Sequence, residues 1–261
     1  MVLVLRDALL DALGLPESCR VDQRVPKKML VEYGAPTTID KRLLNDAIEE
    51  VRWVAALKPG NIAVPAYRDE SHEYLEVAVL VVQVRLSHSR EPQVQRLAEL
   101  VHRAVPYPVI LMLDGPQGVT VSLAHKRAAQ NEAGKVVLDG DVHSVVVETI
   151  APFEEAFFRA LALDKQPHAN LMALYQGWMD CLTAADVAQV TGQFKVSVDA
   201  ATATARRSAL QEYQRLEQEA ARLHAMASKE KQIAKQIDFN LAFKRAQTDL
   251  AAIQDQLKES P

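Results

Sequence analysis

The stretch from Pro106 to Arg127 constrains the fold of this chain more than any other. Val109 to Leu113 is an unbroken apolar run, which is typical of a strand buried on both faces of a sheet. Asp114-Gly115 and Gly118 then predict a turn, and apolar residues alternate with small or polar ones from Val119 to Ala124. We therefore expect a hairpin at the spine of a mixed sheet.

Apolar patterns before this hairpin predict further helices and a strand. Helical spacing predicts helices over residues 2–13, from Thr38 to Leu57, where Thr37 or Thr38 can cap the helix, and from Glu91 onward. The apolar run from Glu76 to Leu86 predicts a strand. Strands and helices in this order favour the α+β class.

A second hairpin is predicted after the first. Asp139-Gly140 is the strongest short turn signal in the sequence, and it separates residues 135–138 from residues 142–148. A turn is favoured over a metal loop at Asp139-Gly140-Asp141. We expect a mixed, mostly antiparallel sheet with helices on one face, forming a domain that spans residues 1–149.

The rest of the chain is predicted to be helical, with a helical segment at residues 150–194 and a long coiled-coil-like helix at residues 195–261. No Gly or Pro occurs between Gly192 and Pro261, and strong helix formers dominate this stretch. Apolar residues step by three and four along its second half, as in a heptad seam: Phe243, Ala246, Leu250, Ile253 and Leu257.

A continuous C-terminal helix would need a partner. A helix of ~55 residues would be ~80 Å long, more than a domain of this size can cover. We therefore expect the seam to contact another protein or a second copy of this chain, so that the protein could form a homo-oligomer. The alternative is a helical hairpin packed on its own domain.

Composition limits the class of protein. The net charge of -4 and the pI near 6.0 argue against a generally basic nucleic-acid coat, although a local basic patch remains compatible with them. Cys19 and Cys181 are far apart, which indicates a reducing compartment. The early Arg6-Asp7 pair and the short apolar runs predict no signal peptide and no membrane span. We expect a cytoplasmic protein.

Two clusters of basic residues are candidate nucleic-acid contacts. The segment between Leu15 and Lys28 is predicted to be a loop, and its cations could hold phosphates: Arg20, Arg24, Lys27 and Lys28. Lys126 and Arg127, at the end of the first hairpin, form a second cationic spot. Solvated surface charge is the alternative explanation for both clusters.

A nuclease site is the catalytic possibility closest to this pattern. Restriction-type nucleases place an acid and a Glu-x-Lys motif on adjacent strands to bind magnesium and steer water. Here the matching strand reads Gln83-Val84-Arg85, and Gln is a poor magnesium ligand. Glu76 and Asp114 could supply acids. The seven histidines show no zinc spacing, and no phosphate-binding or dinucleotide motif occurs. We predict no metal site and no cofactor.

Several segments together resemble a known bacterial family. These are the stretch from Arg24 to Lys28 (RVPKK), the stretch from Arg103 to Tyr107 (RAVPY), the strand from Val109 to Leu113, and Ala124-His125-Lys126. In this order they are similar to the family called domain of unknown function 4391. The C-terminal residues from Lys229 to Asn240 resemble the closing helix of that family as well.

The resemblance implies a function in DNA targeting. Genes of this family typically neighbour helicases and adenine methyltransferases in restriction-like or phage-defence clusters. The leading hypothesis is a non-catalytic accessory subunit that docks on a helicase or a DNA adenine methyltransferase through its C-terminal helices and contacts DNA backbone through the basic residues. The alternatives are a diverged metal-dependent nuclease and a self-associating structural protein.

Overall fold

The computed structural model describes residues 5–85, 91–130, 135–148, 152–197 and 199–259. In chain order its helices and strands are α1 (Leu5–Ala12), β1 (Arg20–Arg24), α2 (Lys27–Gly34), α3 (Thr38–Ala47), β2 (Ile48–Leu57), α4 (Pro59–Ile62), β3 (Tyr67–Arg68), β4 (Glu73–Tyr74), β5 (Val77–Val84), α5 (Glu91–Ala104), β6 (Val109–Gly115), β7 (Gly118–Leu123), β8 (Lys126–Ala128), β9 (Val136–Leu138), β10 (His143–Val147), α6 (Pro152–Ala160), α7 (Leu171–Thr191), α8 (Ala200–Lys229) and α9 (Ile233–Glu259).

Six of these strands form one mixed sheet in the order β1-β2-β5-β6-β7-β10. Only the β5–β6 pair is parallel, and α5 makes the crossover between its strands; the other neighbours in this sheet are antiparallel. The predicted central hairpin is confirmed, because β6 and β7 pair up to Gly115 opposite Gly118. The predicted α+β class with a mostly antiparallel sheet is also confirmed.

The predicted helix from Thr38 to Leu57 is wrong in its second half. Helix α3 begins after Thr37, whose hydroxyl oxygen accepts a hydrogen bond from the Asp40 amide at 3.1 Å, and it ends at Ala47. The next ten residues form β2. Two register shifts in its pairing with β5 interrupt the strict alternation of a strand. The apolar residues of β2 therefore fall at three- and four-residue spacing and imitate a helix.

The second predicted hairpin is also wrong. The chain does bend at Gly140, which has φ +82. The strands on its two sides have different partners, since β9 pairs with β8 in a separate two-stranded sheet, while β10 pairs with β7 at the edge of the main sheet. The buried Val145 and Val147 explain the difference, because they gain a hydrophobic face on the large sheet that β9 does not offer.

Helices α2, α3 and α5 cover one face of the sheet. Their apolar side chains form a single core cluster with alternate residues of β5 and β6, including Leu80, Val82 and Leu111. A partly buried ion pair crosses this helical layer, where the Arg96 guanidinium donates two hydrogen bonds of 2.9 Å to the Asp40 carboxylate. These bonds hold the pKa of Asp40 below its usual value.

Helical residues also lie against the opposite face of the sheet. Leu10 of α1 lines a cavity together with Val81 of β5, and the Tyr175 hydroxyl of α7 donates to the Val109 carbonyl at 2.8 Å. This explains why β5 and β6 are buried on both faces, as the unbroken apolar run predicted. The prediction of helices on one face therefore holds for α2, α3 and α5, and residues of α1 and α7 lie against the second face.

The chain divides into two compact units within α7, the first up to Leu182 and the second from Thr183 onward. Helix α6 belongs to the first unit. The boundary predicted at residues 149–150 falls outside the described residues, as do Leu86 at the predicted strand end and the first residues of the chain. No helix in the described part of the chain combines the length and apolarity needed to cross a membrane.

The second unit contains two long helices instead of one continuous helix. Helix α8 ends at Lys229 and α9 begins at Ile233. The Glu230 carboxylate accepts hydrogen bonds from the Lys231 and Gln232 amides, at 2.8 and 2.9 Å, and so stabilises the break. Two apolar clusters hold the helices in an antiparallel hairpin, one of them joining the start of α8 to the end of α9. The second unit therefore contains a helical hairpin, as in the alternative to one continuous helix.

We predict that Gly118→Ala destabilises the sheet strongly. Gly118 has φ +129, and an added Cβ would collide with the Val147 carbonyl oxygen of β10. Gly140→Ala is the matched control, because Gly140 has φ +82 with open space around it and should lose only the backbone term of about 1–2 kcal/mol. Chemical denaturation should show a larger loss for Gly118→Ala; equal losses would contradict the close approach of β7 and β10.

Candidate functional site

Three polar side chains form a row where the parallel strands end. Gln83, near the end of β5, is the register partner of Glu50 in β2 and of Asp114 in β6. Paired residues on neighbouring strands project from the same face of a sheet. The row therefore lies at the carboxyl ends of β5 and β6, a position where sheets with parallel strands commonly bind ligands.

The row lies between two open cavities. Glu50 and Gln83 line one of about 350 Å³, and Gln83 and Asp114 line its neighbour of about 670 Å³. Charged residues from α1, β1 and β2 complete the wall. We call this region the polar cleft and define it by Arg6, Asp7, Asp22, Glu50, Arg52, Gln83 and Asp114.

Arg6 reaches the row from helix α1. Its guanidinium lies 2.9 Å from the Asp7 carboxylate and 3.1 Å from the Asp114 carboxylate. The hydrogen bond to Asp7 raises the pKa of Arg6, with a further contribution from Asp114, so the guanidinium stays charged. Since Asp114 is only 19% exposed, its carboxylate is mostly enclosed by the protein and this arginine.

Arg52 engages the other acids of the polar cleft. Its guanidinium lies 2.7 Å from Asp22 and 3.4 Å from Glu50. Asp22 has φ +48 at the bulge of β1, and this conformation accompanies the register shift between β1 and β2. The Arg52 and Asp22 side chains are more exposed than those of Arg6 and Asp114, so solvent screens the attraction between Arg52 and Asp22 more strongly.

The chemistry of the cleft follows from this pairing. A hard divalent cation binds through several carboxylate oxygens, and the two arginines already engage them. Within the described residues, no group of three or more His, Cys, Asp or Glu side chains has the arrangement of a metal site. As arranged, the cleft can bind charged groups through its arginines, and a metal ion would require Arg6 to release Asp114.

The structure corrects the acids considered for a nuclease site. Glu76 precedes β5 and pairs with Lys58 at 3.0 Å, whereas Asp114 lies beside Gln83 at the other end of that strand. A rise of ~3.3 Å per residue separates the two acids by roughly 23 Å along the sheet. Glu76 and Asp114 cannot share a metal ion, and the acid that lies in the row with Asp114 is Glu50.

The predicted cationic loop is instead an edge strand and a helix start. Arg20 and Arg24 lie in β1, and Lys27 and Lys28 open α2. Arg20 is exposed and forms an ion pair of 2.9 Å with Glu17. Arg24 and Lys28 are exposed, and among the described residues neither forms an ion pair. These two cations remain available to an external partner.

Lys27 has a structural contact within the chain. Its ammonium donates to the Ile48 carbonyl at 2.8 Å, just beyond the end of α3. The Arg85 guanidinium donates to the Asp46 carbonyl at 2.8 Å in the same region. Cations that donate to the last carbonyls of a helix stabilise its C-terminus. Arg85 therefore caps α3 and does not act as a counterpart of a catalytic lysine.

The second cationic spot is not a surface patch. Lys126 is only 4% exposed, and its ammonium donates to the His102 carbonyl at 2.7 Å and to the Val105 carbonyl. Burial lowers the pKa of Lys126 to about 7. Arg127 is half-buried and lies 3.4 Å from Asp139. The nucleic-acid assignment of Lys126 is therefore wrong, because a phosphate cannot reach it, and Arg127 already has an anionic partner.

The predicted partner seam lies inside the helical hairpin. Its residues contact α8 and the second part of α7, and Ala246 and Leu257 are nearly fully buried. The break after Lys229 allows α9 to fold back and cover this seam within the same chain. The assignment of Phe243, Ala246, Leu250, Ile253 and Leu257 to a partner or second-copy interface is thereby corrected.

Sequence reasoning missed five residues of the polar cleft: Arg6, Asp7, Asp22, Glu50 and Arg52. Glu50 and Arg52 were hidden because their segment was predicted to be helical. In a strand, their two-residue spacing would place both side chains on one face, and this spacing was the sequence signal that could have identified them. Arg6 is brought to Asp114 by tertiary structure, across 108 residues of sequence. No local pattern indicates that contact.

Comparisons with known proteins identify one family. The family model described as "Domain of unknown function (DUF4391)" matches residues 13–250 of the chain. No curated protein and no solved structure matches. The matched region includes the row of Glu50, Gln83 and Asp114, and it includes Lys126.

Lys126→Met should destabilise the fold and flatten its pH dependence. The substitution leaves the His102 and Val105 carbonyls without their donor, which should lower the free energy of unfolding by about 1 kcal/mol at pH 10, where deprotonating this lysine during folding costs the wild type little free energy. The pKa of Lys126 is about 7 when folded and 10.5 in its ordinary state, so the unfolded chain binds more protons between these values. Wild-type stability should therefore rise with pH across that window.

Urea denaturation from pH 7 to 10 measures this effect, with the exposed Lys28→Met as the control. The control should keep the wild-type slope of the free energy of unfolding against pH. In Lys126→Met this slope should be smaller, because the proton that Lys126 releases on folding is no longer there. An unchanged slope in Lys126→Met would show that Lys126 is not a buried titrating group.

Proposed function

This chain belongs to the DUF4391 family, and on that premise we propose that it is a non-catalytic accessory subunit of a DNA-targeting complex. The complex is of the restriction-like or phage-defence type, and it works in the cytoplasm. The partner is a helicase or a DNA methyltransferase subunit. The resemblance of the sequence motifs to this family supports the assignment, since such genes typically neighbour those two classes of enzyme.

The non-catalytic role rests on one observation. At the carboxyl ends of β5 and β6, the acid of β6 is bound by Arg6, and β5 supplies the neutral Gln83. A guanidinium next to Asp114 opposes the binding of a divalent cation at that carboxylate. The cleft therefore retains the position of a catalytic site but has an internal ion pair there.

The C-terminal hairpin is the proposed docking element. The heptad seam is covered within the hairpin, so the partner must contact the outer faces of α8 and α9. Both helices are long and project many exposed side chains. A hairpin that is already folded also loses little conformational entropy on binding, which favours a stable interface.

DNA contact is assigned to the basic residues that remain available. Arg24 and Lys28 are exposed on neighbouring elements of the first unit. Side chains of this kind bind phosphate without reading sequence, so the contact would position the complex on DNA. Sequence recognition is then left to the partner.

Affinity purification of the tagged full chain from its native host tests this function. A helicase or methyltransferase should remain bound after nuclease treatment, because the contact is between proteins. Without nuclease, DNA should co-purify with the wild type, and Arg24→Glu/Lys28→Glu should retain less of it while keeping the protein partner. Arg20→Glu is the matched control, since Arg20 already pairs with Glu17.

Loss of every helicase and methyltransferase from the purified material, with and without nuclease, would refute the accessory-subunit function. Equal DNA retention by Arg24→Glu/Lys28→Glu and by the wild type would refute the proposed DNA contact alone.

A metal-dependent nuclease is the second candidate function. It is favoured by the placement of Glu50, Gln83 and Asp114 side by side on three neighbouring strands. Two carboxylates and one amide oxygen in such a row could hold magnesium once Arg6 moves away from Asp114. Magnesium then activates water and stabilises charge on the phosphate.

A cleavage assay with the partner-bound protein separates the two functions. We expect no magnesium-dependent cleavage of duplex or single-stranded DNA that depends on this chain. If cleavage occurs and is lost in Glu50→Ala and in Asp114→Ala but kept in Glu76→Ala, the chain is a nuclease. Glu76 is the matched control because it lies at the far end of β5.

A further inference from the structure

The first turns of α9 carry an exposed apolar stripe that the hairpin does not cover. Ile233, Ile237 and Leu241 are 74%, 53% and 51% exposed. A spacing of four residues puts them on one face of the helix, over ~12 Å of its length. Single exposed aliphatic residues are ordinary, but three in a row form a continuous apolar surface.

This stripe is not part of the core of the hairpin. Phe239 and Phe243 contact α8 from α9, and each lies two residues after a stripe residue. Two residues correspond to about 200° around a helix, which is nearly the opposite side. The stripe therefore points away from α8, and the apolar contacts that hold the hairpin together do not explain it.

The charge around the stripe is opposite to that of the whole chain. The chain has a net charge of -4. Between residues 229 and 245 there are five basic residues against the two acids Glu230 and Asp238. All five basic side chains are exposed. They are Lys229, Lys231, Lys235, Lys244 and Arg245.

We propose that the exposed stripe of α9 binds an acidic amphipathic helix of a partner protein. Its apolar face would cover Ile233, Ile237 and Leu241. Its acidic residues would lie near Lys244 and Arg245, which follow Leu241 by three and four residues and so flank the stripe. The inference rests on the proposed function, in which the C-terminal hairpin is the docking element. It specifies which surface of the hairpin binds the partner and what chemistry the partner segment has.

The observations favour a protein over other ligands. DNA phosphates would pair with the lysines but would leave three aliphatic side chains against charged groups. Membrane surfaces are usually bound by longer amphipathic helices with aromatic residues, and this stripe is short and purely aliphatic. An acidic helix with leucine or isoleucine every three or four residues satisfies the apolar and the charged groups together.

Photo-crosslinking in the native host tests the inference with the full chain. A benzophenone amino acid is placed at position 237, and the crosslinked product is identified by mass spectrometry of its peptides. The expected product is a segment of another protein with a net negative charge and apolar residues at helical spacing. The same amino acid at position 248, on the same face but beyond the stripe, should crosslink much less.

Charge reversal tests the electrostatic half of the inference. Lys244→Glu/Arg245→Glu should lower the crosslinking yield at position 237 about fivefold, since these cations follow Leu241 by three and four residues on the stripe face and their two exposed ion pairs are together worth about 1 kcal/mol. Both side chains are exposed, so the variant should unfold at the same denaturant concentration as the wild type. An unchanged yield would overturn the charge complementarity.

The outcomes separate this inference from the proposed function. Crosslinking to nucleic acid, to lipid, to a basic segment or to nothing overturns the inference, even if a helicase or methyltransferase still co-purifies. Crosslinking to an acidic amphipathic helix of some other class of protein supports the inference and argues against the proposed function. Crosslinking to such a helix in a helicase or methyltransferase supports both.

Discussion

The buried ammonium of Lys126 holds the crossover on which the sheet depends. Helix α5 connects the parallel strands β5 and β6, and its last carbonyls need donors. The chain continues into Pro106, which has no amide hydrogen to supply one. Lys126 donates to the His102 and Val105 carbonyls from β8, beyond the β6–β7 hairpin. Strands β6 and β7 are thereby joined to the end of α5. The motif from Arg103 to Tyr107 and the motif Ala124-His125-Lys126, which are separate in the sequence, meet at this contact.

The parallel pair created by this crossover also creates the polar cleft. Parallel neighbours end at the same edge of a sheet, so Gln83 and Asp114 lie side by side, and antiparallel β2 brings Glu50 to the same row. Helix α1 then crosses that face and brings Arg6 to Asp114. The position is one where catalytic acids could work together. The guanidinium groups instead neutralise two of its carboxylates, and this is the physical basis for proposing an accessory role.

The second unit follows from one break in a long helical pattern. Two of the backbone amides that follow α8 are satisfied by the carboxylate of Glu230, so the chain can end one helix and begin another within three residues. Folding back covers the heptad seam that would otherwise attract a partner. It also leaves the opposite face of α9 exposed, where Ile233, Ile237 and Leu241 lie. On the same helix, α8 and α7 cover the heptad seam, whereas the stripe stays exposed.

The sequence by itself determined the elements whose patterns are local: the buried run of Val109 to Leu113, its turn at Gly115 and Gly118, the Thr37 cap and the helical C-terminal region. Local patterns also located the family motifs. Tertiary structure decided the rest, because partners distant in sequence were involved. The bulges of β2 gave Glu50 and Arg52 the apolar surroundings of a helix, so their strand was predicted to be helical. Strand β10 pairs with β7 in the large sheet and not with β9. Lys126, predicted to contact DNA, is buried and caps a helix. A periodic pattern shows which face of an element is apolar, whereas only the folded chain shows what covers that face.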